Sequence, residues 1–196
     1  MDKASYERFE EFLGVKDDEQ LIKGNPINSD VGEIAIKNLS FQYEDRMIID
    51  NLSLSIKKGE KIAFVGESGS GKSTLVKILL GLLKYNKGEV CLGNTELSDI
   101  CLNHLYDKVS YISQELVILD EATSAMDNLT EENVMKAVMQ KLKEKTVIAI
   151  AHRLNTIAGF DKIILFRDGK IIGQGTFEEL MRTDAYFMEL YNANVQ

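Results

Sequence analysis

The chain has 196 residues, 44% of them apolar, and its 31 acidic side chains outnumber 23 basic ones for a net charge of −8. That is one domain with room for an appendage, with enough apolar mass for a real core and no dominant basic patch to serve nucleic acid. The two cysteines, Cys91 and Cys101, make neither a disulfide framework nor a zinc site and read as reduced cytosolic thiols. Met1-Asp2-Lys3 opens on charge rather than on an apolar leader, and no apolar run approaches the ~18 residues of a membrane span, so the chain by itself is expected to be soluble.

Residues 4–14, ASYERFEEFLG, put Tyr6, Phe9, Phe12 and Leu13 at helical spacing ahead of Gly14, a short amphipathic helix. The polar stretch VKDDEQLIKGNPINSDVG follows with the only proline, Pro26, and reads as a linker. Residues 1–32 are thus expected to be helix and linker, and residues 33–196 the domain proper.

The period then changes to two. Ile34, Ile36, Leu39, Phe41 and Tyr43 alternate with polar residues, as do Leu52, Leu54 and Ile56, the pattern of antiparallel strands with one wet face. After a turn at Lys57–Glu60, the unbroken apolar run Ile62–Val65 suits a strand buried on both faces. It feeds into Gly66–Thr74, GESGSGKST, and a helix is expected from Ser73 to Leu83. Short strands are expected at Val90–Leu92 and Val109–Ile112, and a buried one at Leu116–Leu119 ending on Asp120-Glu121. An amphipathic helix over about Thr130–Lys143 precedes the strand Val147–Ile150, which leads to His152. Lys162–Phe166 and Lys170–Ile172 flank Asp168-Gly169, a hairpin signal, and Thr176-Phe177-Glu178-Glu179 is a capping box for a last helix. The pattern is α/β: a mainly parallel sheet with helices, plus an antiparallel β subdomain.

The loop matches G-x-x-x-x-G-K-[ST] at Gly66, Gly71, Lys72 and Ser73, between a buried strand and a helix. Through Ser68, Gly69, Ser70, Gly71 and Thr74 the backbone can curl so that its N–H groups face phosphates, and the following helix adds its positive end. Lys72 reaches the β- and γ-phosphates, and the Ser73 hydroxyl is expected to ligate Mg2+. Asp120 lies at the carboxyl end of its strand, where ligands bind on an open parallel sheet, and is expected to hold Mg2+. Glu121, next to it, can polarise an attacking water as a general base. Alone, the pair reads as a solvated turn; beside a phosphate loop it reads as chemistry. His152 suits either the γ-phosphate or a structural role. Gln114 can join the metal shell, and Tyr43 can stack on a base, although a half-buried strand tyrosine is the commoner use. His104 lacks any such context and is expected on the surface.

Taken together these stretches resemble the nucleotide-binding domain of ABC transporters, of the exporter type, within the P-loop NTPases. Tyr43 is similar to the adenine-stacking aromatic, Gly66–Thr74 to Walker A, Gln114 to the Q-loop, and Leu116–Asp120 to Walker B with Glu121 as catalytic glutamate. Ser124–Asp127 resembles the D-loop and Ile150–Arg153 the switch-histidine segment. The resemblance covers about residues 33–190, and residues 4–14 resemble the segment that joins an exporter's last membrane helix to this domain. It implies ATP and Mg2+ as ligands, Lys72, Glu121 and His152 as catalytic residues, and Ser73, Gln114 and Asp120 around the metal. It also implies two partners at the cytoplasmic face of the cell membrane: a membrane-spanning domain, and a second nucleotide-binding domain that closes on ATP.

One departure stands out. The family carries an LSGGQ signature on a helical subdomain of dozens of residues between the Q-loop and Walker B. No such signature is present here, and Gln114 stands six positions before Asp120. Two parallel strands need a crossover of a dozen or more residues. A strand of four or five residues is ~15 Å long, while Ser113, Gln114 and Glu115 reach at most ~10 Å. One continuous strand would hold Gln114 and Asp120 ~20 Å apart, too far to share one ion. Either the sequence is closed up between Glu115 and Leu116 over a segment that the whole protein keeps, which the intact flanking motifs favour, or the deletion is real and the core is rearranged locally.

The leading expectation is therefore an ATPase subunit that powers an exporter. The alternative is an ATP-binding but hydrolysis-deficient domain that cannot complete the composite site. A third, a small-molecule kinase or GTPase, has less support: no N-K-x-D guanine-reading motif is present, and a kinase would usually lack the Asp120-Glu121 pair and the D-loop-like run.

Overall fold

The computed structural model describes residues 23–27, 32–109, 140–151 and 154–194. The helix expected over 4–14, the strand expected at Leu116–Leu119, most of the helix expected over 130–143, and Gln114, Asp120, Glu121 and His152 lie outside the described residues.

The alternating segment forms a hairpin of β1 (Ile34–Tyr43) and β2 (Arg46–Ile56). With β4 (Lys87–Leu92) and β5 (Thr95–Glu96) it makes a four-stranded sheet in the order β2-β1-β4-β5, with every pairing antiparallel. Its buried face carries Ile36, Leu39, Phe41, Leu54 and Ile56, the period-2 set read from sequence. The second sheet has the order β6-β3-β7-β8. In it β3 (Lys61–Val65) is flanked in parallel by β6 (Val147–Ile150) and β7 (Lys162–Arg167), and β8 (Lys170–Gly175) returns antiparallel to β7.

At its centre β3 and β7 are covered on both faces, which is why these two strands lack polar alternation. Ile62, Phe64, Ile164 and Phe166 face the antiparallel sheet and α1 (Lys72–Leu79). Ala63, Val65, Ile163 and Leu165 face Leu180 of α3 (Phe177–Thr183) and Phe187 of α4 (Ala185–Asn194). Phe64 meets Phe166 edge-on at 5.1 Å within the first of these layers.

Local chemistry sets the element ends. Helix α1 stops at Leu79, short of the expected Leu83, because Gly81 takes φ +71° and closes the helix. Its N–H bonds to Ile78 O at 2.8 Å and Leu82 N–H to Lys77 O at 2.9 Å, the paired bonds of a Schellman stop. The Asp168-Gly169 turn has both residues at positive φ, +48° and +77°, as a tight hairpin turn requires. The capping box is present: Glu179 N–H donates to Thr176 Oγ1 at 3.3 Å, and Thr176 N–H to Glu179 Oε2 at 2.9 Å.

Sequence patterning did not foresee the short α2 (Leu102–Tyr106) or the 3-10 turn at Leu97–Asp99, since each is too short to show a period. His104 is exposed on α2, as expected. The described part of the expected linker is docked on this region. Asn25 N–H donates to Asp99 O at 2.7 Å, Cys101 N–H donates to Asn25 O at 3.0 Å, and Ile27 packs on the core.

Candidate functional site

The phosphate loop lies between β3 and α1, at the carboxyl end of β3. Three glycines take backbone angles open to few other residues: Gly66 at φ +150°, Gly69 at +80° and Gly71 at +103°. They do different work. A Cβ on Gly66 would lie 2.2 Å from Phe166 O, so this glycine lets the loop press against the end of β7. A Cβ on Gly71 would come 3.0 Å from Ile48 O, where the loop leans on β2. A Cβ on Gly69 would meet nothing within 4 Å; that position faces open space.

Outside the loop, the β7–β8 turn closes its flank. Gly169 N–H donates to Ser70 O at 3.2 Å, Asp50 N–H donates to Gly169 O at 3.1 Å, and Lys170 pairs with Asp50 at 2.9 Å. A Cβ on Gly169 would stand 2.5 Å from Ile48 O. The register shift between Phe41 and Gln42 skips Ile48 on β2. Ile48 is thus a bulge residue, a common way to re-aim backbone beside a site.

Lys72 is 5% exposed, and its ammonium is held within the loop. Nζ donates to Gly66 O and Glu67 O, both at 2.7 Å, and to Ser70 Oγ at 3.1 Å, which uses all three of its protons. Burial pulls its pKa below the ordinary 10.5, and the nearby Glu67 charge opposes that pull.

Helix α1 has Gly71 as N-cap, no side-chain cap, and no acidic residue in its first turn. Its leading N–H groups and the helix dipole thus meet no anion from the helix's own first turn or cap, which is an arrangement a phosphate fits. Ser73 is exposed and Thr74 half-buried at the start of this helix; Ser68 and Gly69 are exposed on the loop. An exposed hydroxyl next to Lys72 is a donor set suited to a phosphate-bound Mg2+. Among the described residues no cluster of His, Cys, Asp and Glu could hold a metal by itself, and Ser73 alone of the expected metal shell is described.

Tyr43 ends β1 at the hairpin tip, paired with Arg46. Its ring packs edge-on against Phe41 at 4.8 Å while it remains 44% exposed. Phe41 pairs with Ile49, whose Cγ1 lies 3.6 Å from the Cβ position of Gly71. The exposed ring is therefore on the strand pair that the phosphate loop leans against. The structure thus brings together the Gly66–Thr74 loop and the strand pair that ends at Tyr43; Gln114, Asp120, Glu121 and His152 lie outside the described residues. Sequence reading missed Ile48 and Gly169 as supports of the loop. The Asp168-Gly169 pair signalled a hairpin but not what the hairpin would touch.

Residues 49–159 match the family model described as ABC transporter, more than half of the chain, and the chain belongs to that family. It is 29% identical to an ATP-dependent lipid A-core flippase of Neisseria meningitidis serogroup B, over 82% of this chain and 38% of the flippase. It is 30% identical to the ATP-dependent permease MDL1 of Candida albicans, over 80% of this chain and 35% of the permease. In fold it is similar to a bacterial Atm1-family ABC exporter solved with ATP bound, with a TM-score of 0.77 at 19% identity, over 98% of this chain and 47% of that one. The chain thus spans 35–47% of the length of these proteins. The flippase alignment runs over 237 positions, but 82% of 196 residues is about 161, so about 76 positions have no residue of this chain opposite them. No described helix is long and apolar enough to cross a membrane.

Proposed function

We propose that this chain is the ATP-binding and ATP-hydrolysing domain of an ABC exporter, coupling ATP turnover to transport through a membrane-spanning partner at the cytoplasmic face of the membrane. The observation that carries the reading is the loop between β3 and α1, with buried Lys72 inside it and uncapped helix amides at its end, in a chain of the ABC transporter family. Loop amides and Lys72 bind the β- and γ-phosphates, Ser73 holds Mg2+ together with Gln114 and Asp120, and Tyr43 stacks on adenine. Bound Mg2+ neutralises charge developing on the phosphoryl oxygens. Glu121 orients and deprotonates the attacking water, and His152 contacts the γ-phosphate. A second nucleotide-binding domain completes the site. The alignment deficit of about 76 positions supports a segment of relatives that this sequence lacks, which we place, as a helical subdomain, between Glu115 and Leu116.

The test is calorimetric binding of Mg·ATP together with phosphate release, for the parent chain and for Lys72→Ala. Losing a charge-assisted contact should weaken binding about 10- to 100-fold. Binding with turnover supports the full reading. Binding without turnover marks the hydrolysis-deficient form that the six-residue spacing allows, and equal binding by Lys72→Ala removes the loop as the nucleotide site.

A further inference from the structure

We propose that Tyr186, on the C-terminal helix α4, is a positioning residue for the phosphate loop: its hydroxyl bridges the end of β7 to the peptide that holds Lys72. The inference rests on reading that loop as the nucleotide site.

The hydroxyl makes two contacts. It donates to Phe166 O at 3.4 Å and accepts Glu67 N–H at 3.4 Å. Phe166 O is the atom that Gly66 approaches so closely that no Cβ fits. Strand end, loop entry and tyrosine thus meet at one carbonyl. The peptide between Gly66 and Glu67 is held from both sides, its N–H (Glu67) by Tyr186 and its C=O (Gly66) by Lys72 Nζ at 2.7 Å. A shift of α4 would therefore move the peptide to which the phosphate-binding ammonium is tied.

The tyrosine is itself fixed. The Arg167 guanidinium lies over its ring at 5.2 Å, a favourable cation–π placement. Phe187, the next residue, is fully buried, meets Phe177 edge-on at 5.5 Å, and donates its N–H to Asp184 Oδ1 at 2.9 Å. Those contacts set the rotation of α4 and aim Tyr186 at the loop. Burial, the largest influence, raises the phenol's pKa above 10, so the hydroxyl keeps its proton and donates throughout the neutral range. No sequence motif marks Tyr186, and the loop's own residues do not require it.

The experiment compares Tyr186→Phe, which keeps the ring under Arg167 and removes the hydroxyl, with Tyr191→Phe. Tyr191 lies on the same helix as Tyr186, and its ring packs on Phe177 of α3 at 5.8 Å. Mg·ATP affinity is measured by calorimetry, and amide exchange over Gly66–Lys72 by mass spectrometry. Losing one hydrogen-bonding hydroxyl should weaken Mg·ATP about 2- to 10-fold and speed exchange in the loop, with Tyr191→Phe unchanged in both. Parent-like affinity of Tyr186→Phe, or equal weakening by Tyr191→Phe, overturns the inference and leaves the nucleotide site standing. If the parent itself does not bind Mg·ATP, the proposed function falls instead. Exchange then decides the positioning role by itself: faster exchange in Tyr186→Phe supports it, and unchanged exchange overturns it.

Discussion

The two parallel neighbours of β3 make an instructive pair. Both are short unbroken apolar runs, Val147–Ile150 in β6 and Ile163–Phe166 in β7. Every residue of the β7 run is 0% exposed, whereas every residue of β6 is partly exposed. The difference lies in what surrounds each strand. β7 is bonded to β3 on one side and β8 on the other, and both of its faces are packed. Among the described residues β6 pairs with β3 only. An apolar run states that a strand can be buried, and its neighbours decide how far. Among the described residues the phosphate loop leans to the covered side, on Phe166, on the β7–β8 turn and on β2.

The strongest way to break this picture is at Gly66. Gly66→Ala puts a methyl group 2.2 Å from Phe166 O at a φ of +150°, and should cost about 4 kcal/mol or more, since the backbone itself must move. Gly69→Ala has a similarly unfavourable φ, +80°, but open space around it, and should cost about 1–2 kcal/mol. Urea denaturation of the two variants checks the ratio; equal costs would mean that the loop does not lean on β7.

The next test sharpens the strand comparison directly. Ile164→Ala in β7 should cost about 2–5 kcal/mol, the range for a fully enclosed isoleucine. Ile148→Ala in β6 should cost clearly less, about 1–2 kcal/mol, because part of its side chain is already in water. Equal losses in denaturation would show β6 to be as well covered as β7.

The smallest effect is at the base of the sheet, where Glu60 pairs with Lys162 at 2.7 Å and also accepts Lys57 N–H at 2.7 Å. Burial pushes the Glu60 carboxyl up, but these hydrogen bonds and the lysine charges outweigh it and leave its pKa below 4.5. A carboxylate with a depressed folded-state pKa contributes its stability above its unfolded value and loses it as the pH falls through the folded one. Glu60→Gln should therefore lower stability at pH 6 to 7, and the gap to the parent should close as the pH falls below 4.5. A gap independent of pH would assign the effect to packing. Gly59, one residue earlier, donates its N–H to Thr146 Oγ1 at 2.9 Å, tying the same turn to β6, so this test touches the bases of both neighbours.

Much of the fold was legible because its signals are local. The alternation of Ile34–Phe41, the run Ile62–Val65, the Asp168-Gly169 turn and the Thr176–Glu179 box each follow from residues close in sequence, where backbone preference and one buried face settle the element. The loop was legible for the same reason: nine consecutive residues fix its shape. Helix α2 was missed because five residues show no period. The end of α1 was missed because Gly81 lies within a run of leucines that looks helical, and its left-handed angle outranks the pattern.

The sequence by itself determined an α/β phosphate-binding domain of the ABC transporter type, since strand periods and the glycine–lysine spacing follow from covalent order. Only the tertiary structure decided what supports that loop. Phe166, Gly169, Ile48 and Tyr186 are between 18 and 120 positions from Gly66 in the chain, and none carries a local signature of contact with the loop. They meet at the loop because sheet order and helix docking bring distant backbone carbonyls and one hydroxyl within bonding distance, a property that no single stretch encodes.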